Sequence, residues 1–312
     1  MVIHQKVEEQ KIFYETMKTD LLMRSLMFVP SHNEKLLRKA AMSDADVLLL
    51  DLEDSCQPST NKILARELVL RFIDEGIFGE KILIPRINER TSGEMLKDIT
   101  SLASSRIYGF MYPKATKGED IYFFGKLLEV VEREKSLEIG SLKILPLIET
   151  TGSIFNLQSI VKSCENRVIG LAFGHLDYIS DVGGVMDLTE DSFQVARTLC
   201  AAAARSCGVI AIDTIHPEGV HDLVHLEQRI IQGKKLGYQG MLSLNPGELP
   251  LINAHYSPTD EERIWAQDIV LKYEQSEKMG LGVAIVDGKF VGPPLYKKAL
   301  EILKFVEKLK KK

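Results

Sequence analysis

The sequence predicts an α/β protein, a (β/α)8 barrel with an N-terminal helix and a C-terminal helical lid. Three observations predict it. Runs of β type and runs of helix type alternate eight times between residues 25 and 255, the pattern of parallel strands joined by helices. A single barrel takes about 250 residues, which leaves roughly 60 for an extension. Charged or hydrogen-bonding residues also recur where the runs of β type end, the face on which barrels carry their functional groups. An open doubly wound sheet is the competitor. No Gly-x-Gly-x-x-Gly follows an early strand, which weakens its dinucleotide-binding version.

Taken in order, residues 1–20 are expected to form a short amphipathic helix with Ile12, Phe13 and Met17 on one side. The alternation then runs as strand 25–30 and helix 33–42, strand 47–52 and helix 61–74, strand 81–87 and helix 94–104, strand 107–112 and helix 119–138. Strand 142–148 leads into helix 151–163, where Ile154, Leu157, Ile160 and Val161 share one face. Strand 167–173 is followed by the alanine-rich helix 192–207, strand 209–215 by helix 223–236, and strand 240–244 by helix 248–255. These units and the first helix make a barrel domain over 1–256. After it, Ser257-Pro258-Thr259 and three acids open a helix carrying Ile264, Trp265, Ile269 and Tyr273. A hairpin turning at Asp287-Gly288 and a helix opened by Pro293-Pro294 complete a segment 257–312, expected to be a lid and oligomerisation element without a core of its own.

Composition removes several function classes. The net charge of −5 argues against nucleic acid as the main partner. Cys56, Cys164, Cys200 and Cys207 form no Cys-x-x-Cys pair and no disulfide framework, so reduced thiols of a cytoplasmic protein are expected. No run of about 18 apolar residues exists and the charged N-terminus does not suit a signal peptide, so no membrane role is expected.

The strand ends carry the chemistry. Glu149 closes the strand 142–148 and Asp177 lies just past the strand 167–173; neighbouring strand ends lie side by side in a parallel sheet, so the two can share a ligand. Two hard oxygen donors without cysteine suit Mg²⁺, which keeps several water or substrate ligands. A buried Glu paired with an arginine, beside a helix-capping Asp, is the alternative. Arg86 stands in the apolar run Ile82-Leu83-Ile84-Pro85-Arg86-Ile87 and needs an anion, either Glu53 or Asp54 or a substrate carboxylate held by two bonds. The acids of Asp51-Leu52-Glu53-Asp54 repel one another unless a cation shares their charge. His221 and His225 are four apart, but neither His216 nor any Glu supplies a third ligand at zinc spacing, so exposed helix histidines are expected.

In combination, Phe28-Val29-Pro30, Asp51-Leu52-Glu53-Asp54, Arg86-x-Asn88, Ile148-Glu149-Thr150-x-Gly152, Gly170-Leu171-Ala172-Phe173-Gly174-x-x-Asp177-Tyr178 and Gly237-Tyr238-x-Gly240 resemble the HpcH/HpaI aldolase/citrate lyase family, in its citrate lyase beta chain-like, CoA-ester lyase branch. The resemblance runs from Arg24 to about Leu303. It implies Mg²⁺ on Glu149 and Asp177, substrate binding by Arg86, Arg24, Gly174 and Glu149, and catalytic roles for Arg86, Glu53 and Asp54. Lys114, in Tyr112-Pro113-Lys114, is expected to pair with acids. The implied reaction is Mg²⁺-dependent carbon–carbon cleavage of a citramalyl-, malyl- or citryl-CoA type thioester to acetyl-CoA and a 2-keto acid, in a homotrimer or hexamer. A thioesterase on the same scaffold, or a non-catalytic CoA-ester-binding homologue, are the alternatives. Two departures stand out. Leu244-Asn245-Pro246 replaces the family's Ile-His-Pro, and Gly292 stands where many such lyases carry a lid aspartate that acts as acid or base in a neighbouring subunit.

Overall fold

Fully apolar runs such as Leu48-Leu49-Leu50 bury both faces of a strand, as a sheet lined by side chains inside and helices outside requires. The structure, a computed structural model, describes residues 21–185, 191–215, 222–286 and 288–310. The expected helix at 1–20, and His216, His221 and Asp287, lie outside the described residues.

The eight expected strands form one parallel sheet: β1 (Ser25–Pro30), β2 (Val47–Asp51), β3 (Ile82–Leu83), β4 (Gly109–Tyr112), β5 (Lys143–Ile148), β6 (Gly170–Phe173), β7 (Ile210–Asp213) and β8 (Gly240–Ser243). β8 pairs with β1, and isolated bridges at Leu83–Ile107 and Arg86–Met111 carry the ring across from β3 to β4. This is the (β/α)8 barrel. β3 is two residues long, not seven, because Pro85 has no N–H to give a ladder. Past it, single bonds from Met111 N to Pro85 O (2.9 Å) and from Ile87 N to Met111 O (3.3 Å) hold the seam.

Outside the strands lie α1 (Glu34–Ala41), α2 (Thr60–Asp74), α3 (Met95–Leu102) and α4 (Gly118–Glu134). After β5 the expected single helix is broken into α5 (Thr151–Ile154) and α6 (Leu157–Lys162). β6 is followed by α7 (His175–Val182), which the sequence reading did not foresee, and then by α8 (Asp191–Ser206). α9 (Leu223–Leu236) and α10 (Leu249–His255) complete the series. Two strand-end residues with chemical potential turn out to be structural. Asp213 is fully buried in a two-bond pair with Arg197 (2.8 and 2.5 Å), and Asn245 accepts from Gly247 N at the start of a short 3-10 turn.

The chain divides into a compact unit over Met23–Ile252 and another that includes Asn253–Lys312. In the second, Thr259 and Glu262 form a capping box at the start of α11 (Asp260–Lys278). A hairpin of β9 (Ala284–Val286) and β10 (Lys289–Val291) leads to α12 (Pro293–Lys310). Contrary to expectation this segment has its own core, in which Ala266, Ile269, Tyr273, Ala284, Val286, Val291 and Ala299 are buried together and Trp265 packs against them. The apolar face read as an oligomer contact is therefore spent inside the unit, with only Ile264 of that set exposed.

Candidate active site

The carboxyl ends of the barrel strands surround a cavity of about 480 Å³. Glu149, one residue past β5, is buried on its wall, and its Oε1 accepts a bond from the Lys114 N–H at 2.8 Å. Lys114 holds the left-handed φ of 49° that few residues with side chains adopt. Gly174 leaves room for the same carboxylate: a Cβ there would stand 3.0 Å from both Cβ and Oε2 of Glu149. Three residues on, Asp177 lines the cavity from the first turn of α7. The sequence reading thus placed Glu149, Gly174 and Asp177 around one space, and the structure brings them together.

Arg86 lies across the cavity, 8% exposed, with its guanidinium 4.7 Å from the Phe28 ring centroid. Its two-bond fork is taken by Asp51, through Nε at 2.8 Å and Nη2 at 2.7 Å. Nη1 faces Asp54 at 3.0 Å and Glu53 at 3.2 Å. Hydrogen bonds to Asp51 and Asp54 thus take three of the five N–H groups, which closes the Nε–Nη2 edge and leaves only the Nη1–Nη2 end, itself crowded by Glu53, for a substrate carboxylate. Asp51, to which the sequence reading gave no role of its own, is the anchor.

Arg24 also departs from expectation. It precedes β1 at the amino ends of the strands, buried and bonded through Nε and Nη2 to the carboxylate of Asp46 (2.8 and 2.7 Å). That is the end of the barrel opposite the cavity, so Arg24 joins the strand starts and does not meet a substrate in it. Lys114 faces acids, its Nζ 3.5 Å from Glu89 and 4.0 Å from Glu53, but it is half-exposed and not the buried partner expected. His225 is an exposed helix histidine bonded to Asp222 at 2.8 Å.

Behind the Asp51–Asp54 turn lies a buried polar network. Lys62 donates to the carbonyl of Glu53 (3.3 Å) and to Asn88 Oδ1. Asn88 donates to Leu52 O (3.0 Å) and Asp98 (2.7 Å), and Arg66 closes the chain onto Asp98 at 2.8 Å. The asparagine of Arg86-x-Asn88 thus fixes the turn that carries Glu53.

Electrostatics separate the acids. Burial pushes Asp51 up, but the Arg86 guanidinium outweighs it and holds Asp51 below the usual carboxylate range. Burial raises Glu53 to about 7, aided by the negative charges of Asp54 and Asp51 and opposed but not overcome by the Arg86 guanidinium. Burial and the nearby charges of Glu53 and Asp177 raise Glu149 to about 8. Glu53 Oε1 is buried and has no hydrogen-bond partner. Arg86 is shared among Asp51, Asp54 and Glu53, and among the described residues neither Glu149 nor Asp177 makes an ion pair. Among the described residues no three of His, Cys, Asp and Glu form a ready metal cage. The candidate donors are two carboxylates, Glu149 and Asp177, with Glu53 close enough to raise Glu149. That set fits Mg²⁺, which takes one or two protein carboxylates and fills the remaining positions with water or substrate.

The sequence reading also missed His175 and Thr214, which meet on the cavity wall through Nδ1 and Oγ1 at 2.5 Å. The histidine inside Phe173-Gly174-His175 was the available signal.

A model of the HpcH/HpaI aldolase/citrate lyase family matches residues 24–246. The chain is 27% identical over 289 residues to citrate lyase subunit beta of Leuconostoc mesenteroides subsp. cremoris, covering 92% of this chain and 94% of that one. It is 26% identical over 268 residues to a (3S)-malyl-CoA thioesterase of Cereibacter sphaeroides, covering 86% and 89%. Among solved structures, protein CitE from Mycobacterium tuberculosis in complex with magnesium, acetoacetate and coenzyme A superposes with a TM-score of 0.72 at 21% identity, over 91% of this chain and 97% of that one. A citrate lyase from Burkholderia xenovorans LB400 superposes with a TM-score of 0.78 at 18% identity, over 95% of each. These superpositions establish the shared fold.

Proposed function

The chain belongs to the HpcH/HpaI aldolase/citrate lyase family, and on that premise we propose that it is a Mg²⁺-dependent carbon–carbon lyase acting on a 3-hydroxy-3-carboxy acyl-CoA. The products are acetyl-CoA and a 2-keto acid. The observation that carries this reading is the set of buried acids short of one cation: Glu149 raised to about 8, Glu53 with an oxygen lacking a hydrogen-bond partner, and Arg86 already shared among Asp51, Glu53 and Asp54.

Glu149 and Asp177 would hold Mg²⁺. When bound, the ion supplies Lewis acidity that favours ionisation of a substrate hydroxyl and anchors the adjacent carboxylate. Glu53, raised to about 7, suits the role of base near neutral pH: its carboxylate takes the hydroxyl proton. The oxygen forms a carbonyl as the bond from the carbinol carbon to the thioester's CH₂ breaks. That electron pair leaves as the thioester enolate, and a proton returned from Glu53 to the CH₂ carbon gives acetyl-CoA. Arg86 works chiefly by position. It draws Glu53 and Asp54 to its Nη1 and lines the cavity, where the N–H groups not taken by these acids would meet a substrate carboxylate. Lys62 and Asn88 hold the backbone of the Glu53 turn still, which keeps the base within reach.

A thioesterase is the second reading, favoured by the 26% identity to a (3S)-malyl-CoA thioesterase. Gly292 also bears on the lyase reading, since the residue carries no acid and instead accepts bonds from Leu295 N and Tyr296 N at the start of α12. Incubating the protein with citramalyl-CoA, with and without Mg²⁺, separates the readings. Keto acid with Mg²⁺ supports the lyase, free CoA thiol without keto acid supports the thioesterase, and neither product supports a non-catalytic CoA-ester binder.

A further inference from the structure

The two carboxylates that would hold the metal are mounted differently. Glu149 stands at the end of a barrel strand, and its Oε1 is fixed by the Lys114 N–H at 2.8 Å. Asp177 stands on α7, a helix of eight residues in which His175 and Ile179 are the buried pair. A helix of that length has little stability of its own and takes its place from what ties it down. Polar contacts at both ends supply the ties. Gly174, the N-cap, donates its N–H to Ile148 O at 2.9 Å and so extends the pairing of β5 with β6. His175 meets the Thr214 hydroxyl twice, through its backbone N–H at 3.2 Å and through Nδ1 at 2.5 Å. In the last turn Asp181 accepts the Thr151 N–H at 2.6 Å.

These ties run to fixed parts of the barrel beside the metal pair. Thr214 follows β7; its N–H bonds to Asp213 Oδ1 at 2.9 Å, and Asp213 is locked on Arg197. Thr214 is fully buried, so it acts through His175 and not by touching a ligand. Thr151 opens α5 just past Glu149, and Asp181 lies one helical turn beyond Asp177 on the same side of α7. The Asp181–Thr151 bond is therefore a strut between the two segments that carry the carboxylates. Mg²⁺ demands near-ideal octahedral geometry with bonds of about 2.0–2.1 Å, whereas Ca²⁺ takes about six to eight oxygens in flexible geometry at about 2.3–2.6 Å. A mounting that lets the spacing drift costs the ion with the stricter geometry more. Resting on the metal reading above, we propose that the Asp181–Thr151 and His175–Thr214 contacts set the spacing of Glu149 and Asp177 and thereby make the site select Mg²⁺ over Ca²⁺. Asp181, His175 and Thr214 are positioning residues, acting through the place they give Asp177.

The test is calorimetric titration of the full chain with Mg²⁺ and with Ca²⁺, which needs no turnover. Asp181→Ala removes the acceptor at an exposed position, while Asp181→Asn keeps an acceptor oxygen and removes only the charge. Thr214→Val removes the hydroxyl at nearly constant shape, and Thr214→Ser keeps it. Wild type is expected to bind Mg²⁺ more tightly than Ca²⁺. In Asp181→Ala and in Thr214→Val, Mg²⁺ binding weakens about fivefold or more and Ca²⁺ binding less than about twofold, so the preference falls. In Asp181→Asn and Thr214→Ser both affinities stay within about twofold of wild type. Asp181→Ala, at the surface, decides the matter alone if Thr214→Val does not fold. Equal weakening of both ions, an Asp181→Asn that behaves as Asp181→Ala does, or unmoved affinities in Asp181→Ala with unchanged circular dichroism overturns the positioning role and leaves the metal reading intact. A wild type that binds Ca²⁺ as tightly as Mg²⁺ overturns the selectivity, and one that binds neither ion overturns both.

Discussion

Replacing Asp51 by Asn keeps the side-chain shape and removes its charge. The native carboxylate accepts two bonds from Arg86 and two more from the N–H groups of Glu53 (3.0 Å) and Ser55 (3.2 Å). An amide has one acceptor oxygen, so an NH₂ group must face either a guanidinium or a backbone N–H. Breaking a buried ion pair costs about 3–5 kcal/mol when the remaining charge is stranded. Arg86 is not stranded, because Glu53 and Asp54 still face Nη1, so the expected loss is about 2–3 kcal/mol. Denaturant unfolding followed by far-UV circular dichroism at pH 7 measures it. The sign with pH follows from Asp51 titrating below its ordinary 3.8 in the folded protein. Its contribution is complete above that value and is lost as pH falls through the lower folded value, so wild type and Asp51→Asn converge in acid. A difference under about 0.5 kcal/mol at pH 7 would refute the anchoring role, since that is the range of ordinary surface substitutions.

Four further outcomes are expected. Glu149→Gln and Asp177→Asn each abolish Mg²⁺ binding by calorimetry, together with any Mg²⁺-dependent turnover, while the circular dichroism spectrum is unchanged. In the metal-free protein, Glu149 rises from 4.5 to about 8 on folding; its contribution is complete below pH 4.5 and lost as pH rises through 8, a slope that Glu149→Gln flattens and that appears as Mg²⁺ binding tightening toward pH 8. Gly174→Ala sets a methyl 3.0 Å from Glu149 Oε2, forces the carboxylate aside by a few tenths of an ångström, and weakens Mg²⁺ binding about tenfold, or about 1.4 kcal/mol, with little change in unfolding. Light scattering yields a trimer or hexamer, with the exposed Ile285 and Phe290 of the hairpin as contact residues; a monomer whose mass is unaffected by Phe290→Ser counts against that assembly.

Much of the barrel was legible because its signal is local. A run such as Val47-Leu48-Leu49-Leu50-Asp51 announces a strand buried on both faces and closed by a polar residue. Where the reading fell short, the deciding contact lay elsewhere in the chain. β3 shrank because a single proline interrupts donors that only a neighbouring strand could accept. α7 went unseen because its eight residues give too short a period, although Gly183, with a left-handed φ of 68°, marks its end. Arg24 and Arg86 look alike in sequence, each beside an apolar strand. Only folding shows that one meets Asp46 at the strand starts and the other Asp51 at the strand ends. Which of the neighbouring acids Asp51, Glu53 and Asp54 would take the arginine's fork was equally invisible, since the choice depends on how the turn is held from behind by Lys62 and Asn88.

The joint between β3 and β4 has a mechanical implication. Most staves of the ring are laced by continuous rungs, whereas this pair meets at separate points around a proline, with Arg86 on one side and Met111 on the other. A closed tube that must give somewhere gives at its least-laced edge, and here that edge runs beneath the guanidinium. Small adjustments of the arginine to different occupants are therefore expected to fall on the stave that bears it.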